Sequence, residues 1–195
     1  MVTSFVHDTQ HTYRKILDSM SKPGQISSIE SNPEHQMYCL PATFLVALTL
    51  FDTEVNFHVI DHDTKIANVL SQYTVATQVP IEKADYIIAT NNTDAMELLH
   101  GLKKSSVGTL ADPHQSATLI VEQQNIIENG DLELSGPGIK ETHRIGIEVS
   151  EEFWKERDVK IKEYPLGIDL IFTDQNSNIM CIPRTTRVHK KGADK

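Results

Sequence analysis

Two short apolar segments near the C-terminus flank a polar cluster, and together they predict a β-hairpin. Residues 164–173 form a nearly continuous apolar run, residues 174–178 read Asp-Gln-Asn-Ser-Asn, and residues 179–182 are apolar again. A cluster of Asp, Asn and Ser between apolar runs is typical of a turn that joins paired strands. Because the first run does not alternate with polar residues, its strand is expected to be covered on both faces. Pro183 has no backbone N–H and is expected to end the second strand.

Asp169 is the one charged residue inside the first apolar run. Such a carboxylate needs a partner or a place at the end of the sheet, because an unpaired buried charge is costly. Arg184, Thr185 and Thr186 follow Pro183 and offer a guanidinium and two hydroxyls, which suit a carboxylate or a phosphate. They are candidates for contact with an anion or a partner protein, and Arg184→Ala is then expected to weaken assembly or activity without harming the fold. The alternative is a structural ion pair between Arg184 and Asp169.

The remaining pattern alternates helices and strands early and hairpins late, which predicts an α/β fold with a mixed sheet covered by helices. The first helix is predicted from an N-cap at Asp8 to Ser21. Its apolar face at helical spacing consists of Tyr13, Ile16, Leu17 and Met20. Further helices are predicted at 41–51, 66–73, 93–99 and from 150 onward, and strands at 55–59, 85–90, 117–121, 132–134 and 145–149.

Glycine-containing signals refine these boundaries. Asn129-Gly130 is the strongest hairpin dipeptide in the chain, and it is predicted to pair the strand at 117–121 antiparallel to the strand at 132–134. Gly101 is the predicted residue that ends the helix beginning near Asp94.

Charge placement marks the last helix and the chain end. Ser150 is predicted to cap a helix in which Lys155 and Arg157 lie in the last turn, where cations favour the helix dipole. The segment Val188–Lys195 is basic and polar, and the tail after about residue 187 is expected to be flexible.

The composition limits the class of protein. A chain of 195 residues is expected to form a single domain, 1–195, with its own core. A formal net charge of −9 argues against nucleic acid as the main ligand but leaves room for a local pocket for a small anion. No signal peptide or run of 18 apolar residues is visible, so we expect a cytoplasmic protein without membrane segments. The two cysteines are expected to be reduced, and they are too few for an iron–sulfur cluster.

The segment Leu134–Ile139 is the best local candidate for chemistry. Gly136 and Gly138 flank a proline and predict a tight turn with exposed backbone N–H groups, to which Ser135 adds a hydroxyl. Such a nest can hold a phosphate, although no Lys-Ser/Thr follows as in the P-loop. The alternative is a plain turn after a strand.

The other chemical motifs favour no site. His7 and His11 lie one turn apart, and His58 precedes the cluster Asp61-His62-Asp63, but neither group has an evident third or fourth ligand. We therefore expect solvated surface and no metal. There is no G-x-S-x-G motif, and the lysines 83, 103 and 104 lie in segments that do not suggest a pyridoxal phosphate site.

A series of motifs in order along most of the chain resembles a known family. The pieces are 13–24 (YRKILDSMSKPG), 48–52 (LTLFD), 117–119 (ATL), 132–139 (LELSGPGI), 165–171 (PLGIDLI) and 182–186 (IPRTT). Each piece is weak alone, but their set in this order resembles the PhnH family, the H subunit of the bacterial carbon–phosphorus lyase system for phosphonate breakdown. Residues 27–38 and the tail after Thr186 do not match it.

The resemblance implies a fold, partners and a function. The fold implied is a reduced version of the pyridoxal-phosphate-dependent transferase fold without the cofactor, assembled as a homodimer. The partners implied are the G, I, J and L subunits. With the G, I and L subunits, the family joins the ribose triphosphate part of ATP to an alkylphosphonate and forms ribose 1-methylphosphonate 5-triphosphate. ATP or the phosphonate is then a ligand within the complex.

Three hypotheses follow for the molecular role. The first is a non-catalytic or co-catalytic subunit of the complex. The second is a pure scaffold without a ligand site, which subunit capture without ligand binding would support. The third is a separate enzyme that acts on a small phosphorylated substrate through the Ser135 turn, which tight binding by the isolated chain would support.

Overall fold

The structure, a computed structural model, describes residues 2–29, 38–61 and 64–190 as an α/β fold. Helices and strands largely alternate in the first half of the chain, three consecutive strands precede the last helix, and three more strands follow it. The helices are α1 (Val2–Ser21), α2 (Pro41–Leu50), α3 (Lys65–Thr74), α4 (Ala95–Lys104) and α5 (Glu151–Lys160). The strands are β1 (Ser27–Ser28), β2 (Asn56–Ile60), β3 (Thr77–Gln78), β4 (Tyr86–Ala89), β5 (Thr118–Gln123), β6 (Ile127–Ser135), β7 (His143–Gly146), β8 (Asp169–Asp174), β9 (Asn178–Ile182) and β10 (Arg187–Lys190).

Seven strands form a mixed sheet in the order β1-β9-β8-β5-β4-β2-β3. The strands from β8 to β3 are parallel, and β9 and β1 add two antiparallel pairs at one side. The other three strands form a small antiparallel sheet in the order β10-β6-β7. The prediction of a mixed sheet with covering helices is confirmed.

Apolar side chains fill both faces of the large sheet. One core contains residues of α1, α2 and α3 together with Ile88, Ile120 and Ile171. The other contains residues of α4, α5 and the small sheet together with Leu119 and Phe172. Because neighbouring residues of a strand point to opposite faces, continuous apolar strands such as β5 and β8 supply both cores. Within the described residues, no helix is both long enough and apolar enough to cross a membrane.

The C-terminal hairpin forms as predicted. Strands β8 and β9 pair antiparallel, with Phe172 opposite Met180. Asp174 holds the turn, since its Oδ1 accepts the backbone N–H groups of Asn176 and Asn178 and its Oδ2 accepts that of Ile126. A single buried carboxylate thus satisfies three backbone donors at the end of two strands.

Helix α1 differs from its prediction in length and in its buried face. It begins at Val2, so Asp8 is not its N-cap. Thr12, Ile16 and Ser19 are buried, whereas Tyr13 and Leu17 are 48% and 51% exposed. The hydroxyl of Ser19 accepts the backbone N–H of Cys181 in β9. The small polar residues Thr12 and Ser19 thus occupy part of the contact, although only Ser19 has a hydrogen-bond partner for its hydroxyl among the described residues. The larger residues Tyr13 and Leu17 face outward.

The prediction that Asn129-Gly130 forms a hairpin turn between the strands at 117–121 and 132–134 is wrong. These residues form a bulge inside β6, where both Glu128 and Leu132 pair with Ile145 of β7. Asn129 has a φ of 58°, and a Cβ on Gly130 would lie 2.3 Å from the Cα of Gly146. The dipeptide therefore supplies left-handed backbone and a close approach to β7, both of which a bulge also uses.

Two further boundaries are corrected. Helix α4 does not end near Gly101 but continues to Lys104, and Gly101 is buried where a Cβ would meet Ile60. The chain after residue 187 is not a flexible tail up to Lys190, because β10 pairs with β6 over that range. Residues Ser27–Ser28 form a short strand at one edge of the large sheet, where they pair with β9.

Candidate functional site

Arg184 is fully engaged at the edge of the sheet where the parallel strands begin. Its backbone N–H donates to Asp169 Oδ1 at 2.7 Å, and its guanidinium forms an ion pair with the same carboxylate. The guanidinium also donates to Ser116 Oγ and to the backbone oxygens of Pro113 and Pro165. The structural ion pair with Asp169 is therefore present, and the side chain joins three segments of the fold. Asp169, Arg184 and Ser116 form a hydrogen-bonded cluster at this edge.

Thr185 and Thr186 differ in exposure. Thr185 is exposed, whereas Thr186 is fully buried and its hydroxyl has no hydrogen-bond partner among the described residues. The backbone carbonyl of Thr186 accepts a hydrogen bond of 3.1 Å from Arg157. Of the two threonines, Thr185 alone presents its side chain to a ligand or partner.

Arg157 is the residue that the sequence interpretation missed. It is buried completely, and its guanidinium donates to the carbonyls of Thr186 and Pro183 at 3.1 and 2.8 Å. Burial lowers its pKa to about 10, which still leaves it charged near neutral pH. Arg157 lies in the last turn of α5, as predicted, but its side chain is buried because β10 and the turn before it cover it. No spacing in the sequence distinguishes it from the exposed Lys155.

The turn at Ser135–Gly138 lies beside residues 183–186, the turn before β10. Ser135 is the register partner of Arg187, and a Cβ on Gly136 would lie 2.9 Å from the carbonyl oxygen of Thr185. Gly136 and Gly138 have φ angles of 134° and 85°. A Cβ on Gly138 would lie 2.3 Å from the carbonyl oxygen of Ser21. The glycines therefore allow close backbone packing, and Ser135, Gly136, Thr185 and Thr186 come together while the side chain of Arg184 is bound to Asp169.

A second polar cluster lies at the opposite edge, where the parallel strands end. Glu122 is the second-last residue of β5 and is only 6% exposed. Its Oε1 accepts the backbone N–H of Leu40 at 2.6 Å, and its Oε2 accepts that of Asn91 at 3.0 Å. Beside it, the hydroxyl of Thr90 donates to Asp61 Oδ2 at 3.2 Å. We call Asp61, Thr90, Asn91 and Glu122 the carboxyl-edge cluster.

Geometry and electrostatics make the carboxyl-edge cluster a candidate site. A cleft of about 190 Å³ is lined by Thr90, Asn91 and Glu122 and by the caps of α4 and α5. In open α/β sheets, ligands bind beyond the carboxyl ends of the parallel strands. Burial raises the pKa of the Glu122 carboxyl, against the lowering effect of its hydrogen bonds, and the charge of Asp61 adds to the increase. A buried carboxyl with a raised pKa beside a cleft can exchange a proton with a ligand.

The cysteines offer no nucleophile. Burial raises the pKa of Cys39, and the nearby charge of Glu122 raises it further. Burial raises the pKa of Cys181 to about 12. Both side chains are free thiols, and the thiolate needed for nucleophilic attack is therefore scarce near neutral pH.

Histidines and acids do not assemble into a metal site in the part of the chain that the structure describes. No three side chains of His, Cys, Asp or Glu there lie in positions that could hold a metal ion. Of the cluster considered from sequence, His62 and Asp63 lie outside the described residues. His58 Nδ1 instead lies 2.9 Å from the carbonyl oxygen of Val79.

Comparison with protein families decides the relationship of this chain. The model of the family described as "Bacterial phosphonate metabolism protein (PhnH)" matches residues 2–189. The chain belongs to this family. The resemblance inferred from the six sequence motifs is thereby confirmed, and the match also includes residues 187–189 of β10.

Two curated relatives support the PhnH assignment over nearly the whole chain. HtxG of Stutzerimonas stutzeri, named as a C-P lyase subunit, is 27% identical over 189 residues, which cover 94% of this chain and 87% of HtxG. The alpha-D-ribose 1-methylphosphonate 5-triphosphate synthase subunit PhnH of Rhizobium meliloti (strain 1021) is 25% identical over 198 residues, which cover 95% of this chain and 92% of that protein.

Proposed function

We propose that this chain is a subunit of a carbon–phosphorus lyase complex in phosphonate catabolism. Its reaction would be the replacement of adenine on C1′ of ATP by an oxygen of an alkylphosphonate, which forms ribose 1-methylphosphonate 5-triphosphate and releases adenine. The observation that carries the proposal is the match to the PhnH family over residues 2–189, together with a relative named as a subunit of that synthase. The G, I and L subunits are the proposed partners in this step, and J joins the larger assembly.

Reconstitution tests this proposal directly. Purified G, I and L subunits would be mixed with ATP and methylphosphonate, with and without this chain, and adenine release followed by chromatography. We expect adenine and the new triphosphate only when the chain is present. Equal adenine release without the chain would contradict a required role. A heat-denatured sample of the chain serves as the control.

The role proposed within the complex is positioning rather than covalent catalysis. Support comes from the two thiols with raised pKa values and from the engagement of the Arg184 guanidinium with Asp169. Glu122, in the carboxyl-edge cluster, is the group best placed to contact a ligand. We propose that the chain works without pyridoxal phosphate on a reduced transferase-like fold, as the resemblance implies. Addition of pyridoxal phosphate should leave the reconstituted rate unchanged, and a stimulated rate would contradict this.

The second part of the proposal is that the chain forms a homodimer. The scaffold hypothesis, in which the chain binds other proteins but no ligand, is also compatible with a homodimer. Val6, Tyr13 and Leu17 are exposed apolar residues that share one face of α1, at spacings of seven and four residues. Exposed apolar residues that form a stripe favour contact with another protein. Sedimentation of the purified chain should give twice the mass of 21.9 kDa, and the double variant Tyr13→Ser/Leu17→Ser should shift it toward the monomer. A dimer of unchanged stability in that variant would exclude this face.

A further inference from the structure

Four clefts in the described part of the chain differ in the charge of the side chains that line them. Three of them are lined by more carboxylates than lysines, and one, beside Gly138, has more lysines. The carboxylates of the three are Asp94, Glu122 and Glu148 at the carboxyl edge; Asp131, Glu148 and Glu151 beside the β6 bulge; and Asp61, Glu82 and Glu97 between β2 and α4. The cleft beside Gly138 contains Lys22, Lys140 and the single acid Glu141.

This basic cleft, of about 590 Å³, lies between the end of α1 and the connection from β6 to β7. Gly138 brings these two segments together, because its backbone packs so closely on the carbonyl of Ser21 that a Cβ would lie 2.3 Å from the oxygen. Lys22 follows α1 and Lys140 follows Gly138 by two residues. The turn that the sequence indicated as a phosphate nest therefore joins two lysines from distant parts of the chain.

Both ammonium groups are available to a ligand. Lys22 Nζ contacts Asp18 Oδ1 at 2.8 Å, in an exposed pair one turn apart. Since an ammonium has three donors, Lys22 keeps donors for a second acceptor. Lys140 is exposed and has no ion-pair partner among the described residues.

We propose that the cleft beside Gly138 binds a tetrahedral oxyanion, the phosphate or phosphonate group of a small ligand. The rest of a chain with a net charge of −9 repels anions, so a local pair of lysines directs them to this cleft. Lysines bind phosphate oxygens as point charges. The carbonyls at the end of α1 oppose an anion, but their partial charge is smaller than the two full charges. The choice of a phosphonate among such anions rests on the proposed function, whereas the charge of the cleft does not.

A titration of the full chain followed by backbone amide NMR tests the cleft. At low ionic strength, where screening is weak, inorganic phosphate and then methylphosphonate should shift the amides of residues 22–25 and 138–143. Lys22→Ala and Lys140→Ala should each weaken phosphate binding about three- to five-fold, the range of a partly exposed ion pair. Asp18→Asn removes a competing carboxylate and should strengthen binding about two-fold.

The matched control is Lys155→Ala, which removes a lysine from a similar pair with Glu151 on α5. It should leave phosphate binding unchanged. Phosphate-induced amide shifts outside residues 22–25 and 138–143 would contradict the proposed binding site. An unchanged affinity for phosphate in the double variant Lys22→Ala/Lys140→Ala would contradict it as well. Binding of phosphate without methylphosphonate would overturn the phosphonate assignment. Failure of reconstitution with intact phosphate binding would sink the proposed function and leave the cleft standing.

Discussion

The turn before β10 and the carboxyl-edge cluster both bury a charge, but they surround it differently. At the turn, Arg157 is sealed in the core and donates to two carbonyls, while Arg184 pairs with Asp169 on the other side. At the carboxyl edge, Glu122 accepts two backbone N–H groups, and no cation of the described residues is hydrogen-bonded to it. Glu122 also lines the cleft at that edge, whereas Arg157 is completely buried.

The difference separates charges that hold the fold from charges that can do chemistry. A guanidinium that binds two carbonyls in the core gains nothing from changing its protonation state. A carboxyl with a raised pKa beside a cleft changes its charge when a ligand or proton arrives. The first region should therefore respond to mutation through stability, and the second through pH.

Arg157→Ala should have the largest effect on stability. The substitution leaves the carbonyl of Thr186 without its donor inside the core and removes one of two donors from the carbonyl of Pro183, which still accepts the backbone N–H of Thr186. It also creates a void. We expect the free energy of unfolding to fall by about 3–5 kcal/mol, the range for removal of a buried, hydrogen-bonded charge. Urea denaturation measures it, with Lys155→Ala as the exposed control. A loss below about 1 kcal/mol would show that the buried turn is not held by this side chain.

Arg184→Ala should rank second. It leaves the carboxylate of Asp169, whose side chain is 21% exposed, with the backbone N–H of residue 184 as its remaining partner from this pair. We expect a loss of about 2–3 kcal/mol in urea denaturation. This replaces the prediction that the substitution leaves the fold intact. Arg187→Ala, an exposed arginine three residues later, should change stability by less than about 0.5 kcal/mol. Equal losses of stability in Arg184→Ala and Arg187→Ala would contradict a structural role for the ion pair of Arg184 with Asp169.

Glu122→Gln should act through pH. Burial raises the pKa of Glu122 above its ordinary value of 4.5, so the folded state binds the proton more tightly than the unfolded state. The contribution of Glu122 to stability is therefore greatest at low pH and falls as pH rises from 4.5 through the raised value. The variant turns an amide N–H₂ toward a backbone donor, at a cost of about 1–2 kcal/mol at acidic pH. The difference in stability between Glu122→Gln and the unchanged chain should narrow as pH rises. A difference that widens would contradict the raised pKa of Glu122.

Asp61→Asn should have the smallest effect and sharpen the comparison. The charge of Asp61 is one cause of the raised pKa of Glu122, so its removal should lower that pKa. We expect a change in stability of about 0.5 kcal/mol or less, since an amide oxygen still accepts from Thr90. A ¹³C titration of the Glu122 carboxyl measures the pKa, with Asp131→Asn on the exposed part of β6 as the control. An unchanged pKa would separate Asp61 from the cluster.

The sequence predicted the sheet better than the carboxyl edge. Continuous apolar runs identified β5 and β8, because burial on both faces leaves a mark in the pattern itself. The carboxyl-edge cluster had a weaker signal in the sequence: Thr90 and Glu122 each follow directly on a run of apolar residues. That sign becomes informative once the strands are known to be parallel and adjacent, because their ends then meet.

Other features depended on contacts that no local pattern contains. Asn129-Gly130 fits a hairpin or a bulge equally well, and the presence of β7 beside it decided for the bulge. Arg157 lies among charged neighbours on α5, and its burial follows from strand β10, which returns from a later part of the chain. The exposed Tyr13 and Leu17 satisfied a helical period that the buried Ile16 and Ser19 also satisfied.

The place of β10 in the small sheet sets an order of events during synthesis. Strand β6 has an unpaired edge, and Arg157 has an unmatched guanidinium, until residues 183–190 have left the ribosome. The nascent chain can assemble β2, β4 and β5 before that moment, but the core formed with α4, α5 and the small sheet lacks Val188 of β10 until then. A chaperone that binds apolar surface would therefore find this domain accessible until its last strand is translated, and a stop codon just before β10 should yield a product that the cell degrades.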